Sequence, residues 1–126
     1  MDVYKTHGAF SWSELTTSDP AAAAAFYEKL FGWQVKDPMP EMGDYRVAAI
    51  GESMVAGIMP LSPGSPPMPP HWGCYVTVDN TDRTAEQAVA IGGAVLVPPM
   101  DVPTVGRMAV LQDPQGAVIS IMQYGD

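Results

Sequence analysis

The run at residues 61–72, Leu-Ser-Pro-Gly-Ser-Pro-Pro-Met-Pro-Pro-His-Trp, most limits what this chain can fold into. Its five prolines fix φ and remove backbone donors, so it can hold neither a helix nor a central strand. It reads as an extended, partly stiff connector. The sequence on its two sides repeats. Before it, strand-like sequence leads to Asp19, and a helical pattern closes at Gly32. After it, strand-like sequence leads to Asp79, and a helical pattern of the same length closes at Gly92. More strand-like sequence follows each glycine. The spacing therefore predicts two βαβββ modules, at about 7–60 and 73–124, joined by a linker at 61–72. Repeats this short lead us to expect that neither copy buries a core of its own.

Composition narrows the function. The 126 residues suffice for one compact domain, and 47% apolar against 16% charged residues argues for a folded globule. Six basic against 14 acidic side chains, a net charge of −8, argue against nucleic acid as a partner. The lone Cys74 permits no internal disulfide and no cysteine-based zinc site. No signal peptide and no bilayer-length apolar run is visible, so a cytoplasmic protein without a membrane partner is the expectation.

Residues 1–6 read as a loose arm. A strand is expected at 8–15, then Asp19-Pro20 as a helix start, with helices at about 20–31 and 81–91. Ala22, Phe26 and Leu30 form the expected apolar stripe of the first helix, and Ala85, Ala88 and Val89 that of the second. Strands are expected at 33–36, 45–50, 53–59, 73–78, 94–97 (ending at Pro98-Pro99), 107–111 and 117–122. Gly51-Glu52 and Asp113-Pro114-Gln115-Gly116 supply turns. The class is α+β.

Residues 19–33 (DPAAAAAFYEKLFGW), 113–122 (DPQGAVISIM) and 11–17 (SWSELTT) resemble the glyoxalase, bleomycin-resistance and extradiol-dioxygenase superfamily. The resemblance spans essentially the whole chain. It implies paired βαβββ modules, curved mixed sheets around a ligand cavity, and often a dimer. In metal-using members the ligands project from the first and last strands of each module. Those places fall here on Trp12, Gly57, Gly73 and Ser120. Tryptophan and glycine offer no side-chain ligand and a lone serine is a poor one, so no metal and no other cofactor is expected.

Strand alternation extends those four places to a candidate ligand-binding set: Trp12, Glu14, Arg46, Met59, His71, Tyr75, Arg107, Ser120 and Met122. Arg46 enters if a two-residue loop at Gly51-Glu52 sets it opposite Gly57, and Arg107 if Gln112 pairs with Ala117, opposite Met122. Glu14 is the sharpest candidate: a general base, an anchor for a ligand cation, or a structural partner of Arg46, Arg107 or His71. Trp12, Trp72 and Tyr75 offer rings to a planar ligand. Two functions remain. One is a metal-free binding protein, a homodimer sequestering a cationic or aromatic small molecule as in bleomycin resistance. The other is a metal-independent isomerase, lyase or hydroxylase-associated enzyme using Glu14 or His71.

Overall fold

The computed structural model describes residues 1–38, 43–61 and 68–125. Its elements run β1 Phe10–Thr17, α1 Pro20–Phe31, β2 Gln34–Val35, β3 Arg46–Ile50 and β4 Ser53–Pro60. They continue with β5 His71–Thr77, α2 Thr81–Ala90, β6 Ala94–Val102, β7 Gly106–Gln112 and β8 Val118–Tyr124. This is βαβββ twice, an α+β fold. Most of the expected linker lies outside the described residues, but its last two residues, His71 and Trp72, already belong to β5.

The chain divides into two units, Trp12–Gly73 and Met1–Ser11 with Cys74–Asp126. In the first, the strands lie in the order β2-β3-β4-β1, with β1 parallel to β4 and the other pairs antiparallel. In the second the order is β5-β8-β7-β6, with β5 parallel to β8. Both sheets are mixed.

Each helix begins as its sequence dictates. The Asp19 carboxylate accepts from the Ala22 N–H at 3.0 Å, and the Asn80 side chain accepts from Arg83 N–H at 3.0 Å. The buried face of α1 differs from the expected stripe. Phe26 and Leu30 are exposed, while Ala24, with Ala23 and Tyr27, packs on Leu15 and Ile58. Alanines let the helix approach its sheet closely, and that contact sets its rotation. In the second unit Ala85 and Ala88 pack with Val78, Ala109, Leu111 and Ile121, whereas Val89 is exposed. Each unit therefore buries a core under its own helix, contrary to the expectation from repeat length.

Two strands depart instructively from expectation. β6 runs on through Pro98 and Pro99 to Val102. Among the described residues it pairs on one side only, with β7, and its register shifts between Val95 and Val97 and again between Val97 and Met100. An edge strand with bulges tolerates missing donors. The arm at residues 1–8 is tied down: Thr77 Oγ1 donates to the Val3 carbonyl at 2.6 Å, Gly8 N–H to the Thr77 carbonyl at 2.8 Å, and the Tyr4 and Tyr124 rings meet edge to face. Among the described residues no helix is long and apolar enough to cross a membrane.

On the helix side of the second unit, Arg107 Nε and Nη2 donate to both Asp82 oxygens (2.8 and 3.0 Å) and Nη1 to Asp101 (3.0 Å). The guanidinium's hydrogen bonds hold the Asp82 carboxyl below its usual value. That favours the ionised carboxylate in the folded state. Its stabilising contribution is therefore full above the unfolded carboxylate's pKa and is lost as pH falls through the lowered folded value. Arg107→Gln should lower Tm by a few degrees near neutrality, and the gap to wild type should close on acidification. Thermal melts of both proteins across an acid series check this.

Candidate functional site

Strand alternation gives each sheet two faces. In the unit Trp12–Gly73, Leu15 and Ile58 pair across β1 and β4 and lie under the helix. Their neighbours Glu14 and Gly57, also paired, lie on the opposite face, with Val47 across from Gly57 on β3. Thr16 and Met59 continue that face.

A row of polar groups crosses it. Trp12 Nε1–H donates to the Tyr45 hydroxyl oxygen at 3.0 Å, and the Tyr45 O–H donates to Glu14 Oε2 at 2.8 Å. All three side chains are half-buried. Glu14 and Tyr45 make further interactions besides these. Gly57 is what makes room for the row. A Cβ built there would run into the Tyr45 hydroxyl and lie 3.1 Å from Trp12 Nε1. A glycine inside a strand often marks such a close approach.

Tyr45 is the member of this row that sequence reasoning missed. The available signal was Gly57 itself, an unfilled position in a strand. Its occupant could not be named because β4 carries a bulge. Ala49 pairs with Met54 but Ala48 pairs with Ala56, leaving Val55 extra. The Gly51-Glu52 loop forms as expected, with Ile50 opposite Ser53. Beyond the bulge, however, Arg46 stands opposite Ile58 rather than Gly57. Arg46 is thus on the helix side, where its Nε donates to Asp44 at 3.0 Å.

Arg107 is displaced by the same kind of slip. Asp113 N–H donates to the Ala117 carbonyl, Asp113 Oδ1 accepts from the N–H groups of Gln115 and Ala117, and Gly116 takes a φ of 98°. This widens the turn by one residue, so that Gln112 pairs with Val118 and Arg107 with Gln123. Met108, not Arg107, faces Met122. Arg107 is spent on Asp82 and Asp101.

The other candidates distribute as follows. Tyr75 pairs with Ser120, and Thr77 with Met122, so Tyr75, Ser120 and Met122 share a face of the second unit. Ser120 is half-buried, Met122 is buried, and Tyr75 carries the Ser11 hydroxyl against its carbonyl at 3.5 Å. His71 donates from Nδ1 to the Pro69 carbonyl at 2.9 Å. Trp72 points to the opposite side of β5 from His71 and belongs to an aromatic cluster on α1. Its Nε1–H donates to the Tyr27 hydroxyl at 3.1 Å, and its ring lies 5.4 Å from Tyr27 and 6.2 Å from Trp33. It is not available beside Tyr75 as a stacking wall. Two clefts of about 560 and 580 Å³ lie in the second unit around Gln123, Tyr124 and Gly125. Neither includes the Trp12 row, so hydrogen-bond geometry rather than cavity size singles that row out.

The resemblance implies four places for metal ligands. Of the four ligand places, two are glycines, one is Trp12 and one is Ser120. The space beside Gly57 is taken by the Tyr45 phenol. Among the described residues no group of three His, Cys, Asp or Glu could hold a metal ion. The residues present do not fit that ion.

Two βαβββ units in one chain, each with its first strand parallel to its last, define a paired-module α+β protein of the glyoxalase type. Residues 9–121 match the model of the Glyoxalase/Bleomycin resistance protein/Dioxygenase superfamily, and the chain belongs to that superfamily. It is 44% identical over 117 residues (92% of this chain, 44% of the relative) to "Putative glyoxylase CFP32" of Mycobacterium bovis. It is 35% identical over 133 residues (94% of this chain, 48% of the relative) to "Anthracycline biosynthesis protein DnrV" of Streptomyces peucetius. The chain thus spans about half the length of these curated relatives. Among solved structures, methylmalonyl-CoA epimerase from Mycobacterium tuberculosis matches with a TM-score of 0.63 at 16% identity, covering 94% of this chain and 89% of that one. At that identity the likeness is one of fold.

The row makes a direct spectroscopic prediction. Tyr45→Phe removes the acceptor of the Trp12 indole N–H and should shift that resonance upfield in a ¹H–¹⁵N spectrum. The Trp72 indole N–H, bonded to Tyr27, should stay in place. An unmoved Trp12 signal would mean that the row does not form.

Proposed function

We propose that this chain is a small-molecule-binding module that works without the superfamily's metal and takes a compact, partly aromatic ligand on the Trp12–Tyr45–Glu14 face. The carrying observation is that continuous row beside Gly57, which combines two rings with a carboxylate. Apolar walls carrying a few placed polar groups are the usual make-up of small-molecule sites. Trp12 supplies the wall, Glu14 the polar discriminator, and Met59 an adaptable apolar neighbour on the same face. The name of the anthracycline-biosynthesis relative supports a ring compound as ligand. Within the second unit by itself, Tyr75, Ser120 and Met122, which share one face of its sheet, are proposed as a ligand-contact set, while Arg46 and Arg107, committed to their aspartates on the helix sides, are left out.

A second reading is a metal-independent enzyme, favoured by one feature. The Tyr45 hydroxyl bonded to Glu14 is a ready acid–base pair for moving a proton. His71, turned to the Pro69 carbonyl, is the weaker candidate for such a role.

Glu14→Gln and Trp12→Ala, titrated by calorimetry with a panel of aromatic compounds of both charges, test the binding reading. Each should weaken binding by about tenfold or more at a temperature where the variant is still fully folded. Unchanged affinity with a lowered Tm would make both residues structural and refute the site. We further propose that the working form is a homodimer. Sedimentation at micromolar concentration should show it, and a monomer throughout would count against it.

A further inference from the structure

The two helices do the same work in their units but differ on their outer faces. Of the twelve residues of α1, only Glu28 and Lys29 carry charge. Its inner side packs Ala24, Ala23 and Tyr27 on Leu15 and Ile58. Its outer side is apolar as well: Ala21, Ala22 and Ala25 are exposed, and Phe26, Leu30 and Phe31 are each more than half exposed, at 59%, 57% and 58%. By contrast, α2 turns Asp82, Arg83, Glu86 and Gln87 outward, and Val89 is the one large apolar side chain it exposes. A helix that is apolar on every side is normally covered on every side. Since α2 closes its unit with a largely polar outer face, the βαβββ unit does not require the apolar one on α1.

The rings at the C-terminal end of that face hold one another in place. Phe26 meets Tyr27 edge to face at 5.1 Å, Tyr27 stacks on Phe31 at 6.0 Å, and Phe31 lies 5.2 Å from Trp33. Side chains fixed in advance lose little freedom on association, and aromatic anchors carry much of the energy of protein interfaces. A contiguous exposed apolar patch of this kind marks an interaction surface.

The order of residues along α1 says what fits there. The midpoint of Pro20–Phe31 falls between Ala25 and Phe26, with alanines before it and Phe26, Leu30 and Phe31 after it. Let a second α1 lie antiparallel across a two-fold axis at that midpoint. Phe26 of each copy then meets Ala25 of the other, and Leu30 meets Ala21. Large side chains enter the space that small ones leave, in both directions at once, as an isologous contact requires. Charge follows the same order. Asp19 caps the N-terminal end and Lys29 stands in the last turn, so the antiparallel pair brings each Lys29 to the end of the other helix that carries Asp19. We propose that the outer face of α1 binds a second copy of this chain as an antiparallel α1 pair, with Phe26 and Leu30 as its anchors. The inference rests on the homodimer proposed above and names its contact surface.

The test uses the whole chain. Sedimentation at micromolar concentration should give a dimer for wild type. Phe26→Glu with Leu30→Glu, both at exposed positions, should raise the dimer's Kd by about thirtyfold or more, the effect of losing interface anchors. Val89→Glu, on the exposed side of α2, should leave it unchanged. A second measurement does not depend on the charged variant folding. In a Cys74→Ser chain, which lacks the exposed native thiol, Ala25→Cys sets a thiol beside the proposed axis. A short bis-maleimide should couple two such chains, and should not couple chains carrying Ala90→Cys on α2 instead. Persistence of the dimer in the folded charged variant, or failure of Ala25→Cys to couple while the protein is dimeric, overturns the inference and leaves a homodimer built on another face. A wild type that stays monomeric throughout removes the homodimer and this inference together.

Discussion

The phenol of Tyr45 lies where a side chain on residue 57 would have to be, and the chemistry of the first unit follows from that exchange. A hydroxyl brought into a half-buried face must be hydrogen-bonded, because an unmade bond there costs about 1–3 kcal/mol. Here it is bonded twice, once as acceptor and once as donor. The donation goes to a carboxylate, and bonds to charged groups are worth about 1.5–3 kcal/mol net, roughly twice a neutral one. The same bond fixes the orientation of Glu14, whose burial without a partner would be unfavourable. One missing Cβ thus permits a tyrosine, an oriented carboxylate and a fixed indole.

Register explains why arginines are absent from this picture. A strand has two sides, and a shift of one residue exchanges them. The extra residue Val55 in β4 and the widened turn before Ala117 each make such a shift. Arg46 and Arg107 consequently lie beside their helices, where Asp44, Asp82 and Asp101 receive them. In both units the arginine contributes to local electrostatics on the helix side. The face that carries Trp12, Tyr45 and Glu14 lies across the sheet from Arg46.

The architecture was legible because its signals are local. Asp19-Pro20 and Asn80 cap helices wherever they occur, Gly32 ends one, and the Asp113–Gly116 residues make a turn by their own side chains and backbone. The recurrence of these signals at one spacing exposed the repeat. Trp12 and Glu14 were legible as a pair on one face because alternation along a single strand needs no partner. Tyr45 was not, since its place depends on which residue of β3 faces Gly57, and Val55 altered that pairing without any mark in its own residue type. Trp72 was misplaced for a related reason: its ring follows β5, which begins two residues earlier than the prolines suggested and turns the indole toward Tyr27.

The row is present in one copy of the repeat and missing from the other. Pairing places Ser120 in the second unit where Gly57 stands in the first, since Val110 faces Ser120 as Val47 faces Gly57. On the same count Tyr75, paired with Ser120, corresponds to Glu14, paired with Gly57. Two residues before these, Gly73 answers to Trp12 and Met108 to Tyr45. Thus the second copy has the same backbone pairing with a glycine, a methionine and a tyrosine at the places of Trp12, Tyr45 and Glu14, and a serine at that of Gly57. A feature required by the fold would recur with the fold, as the helix caps and the apolar cores under the helices do. The Trp12–Tyr45–Glu14 row does not recur. Its polar groups are not needed to close a βαβββ unit, which supports the ligand-binding role proposed for that face.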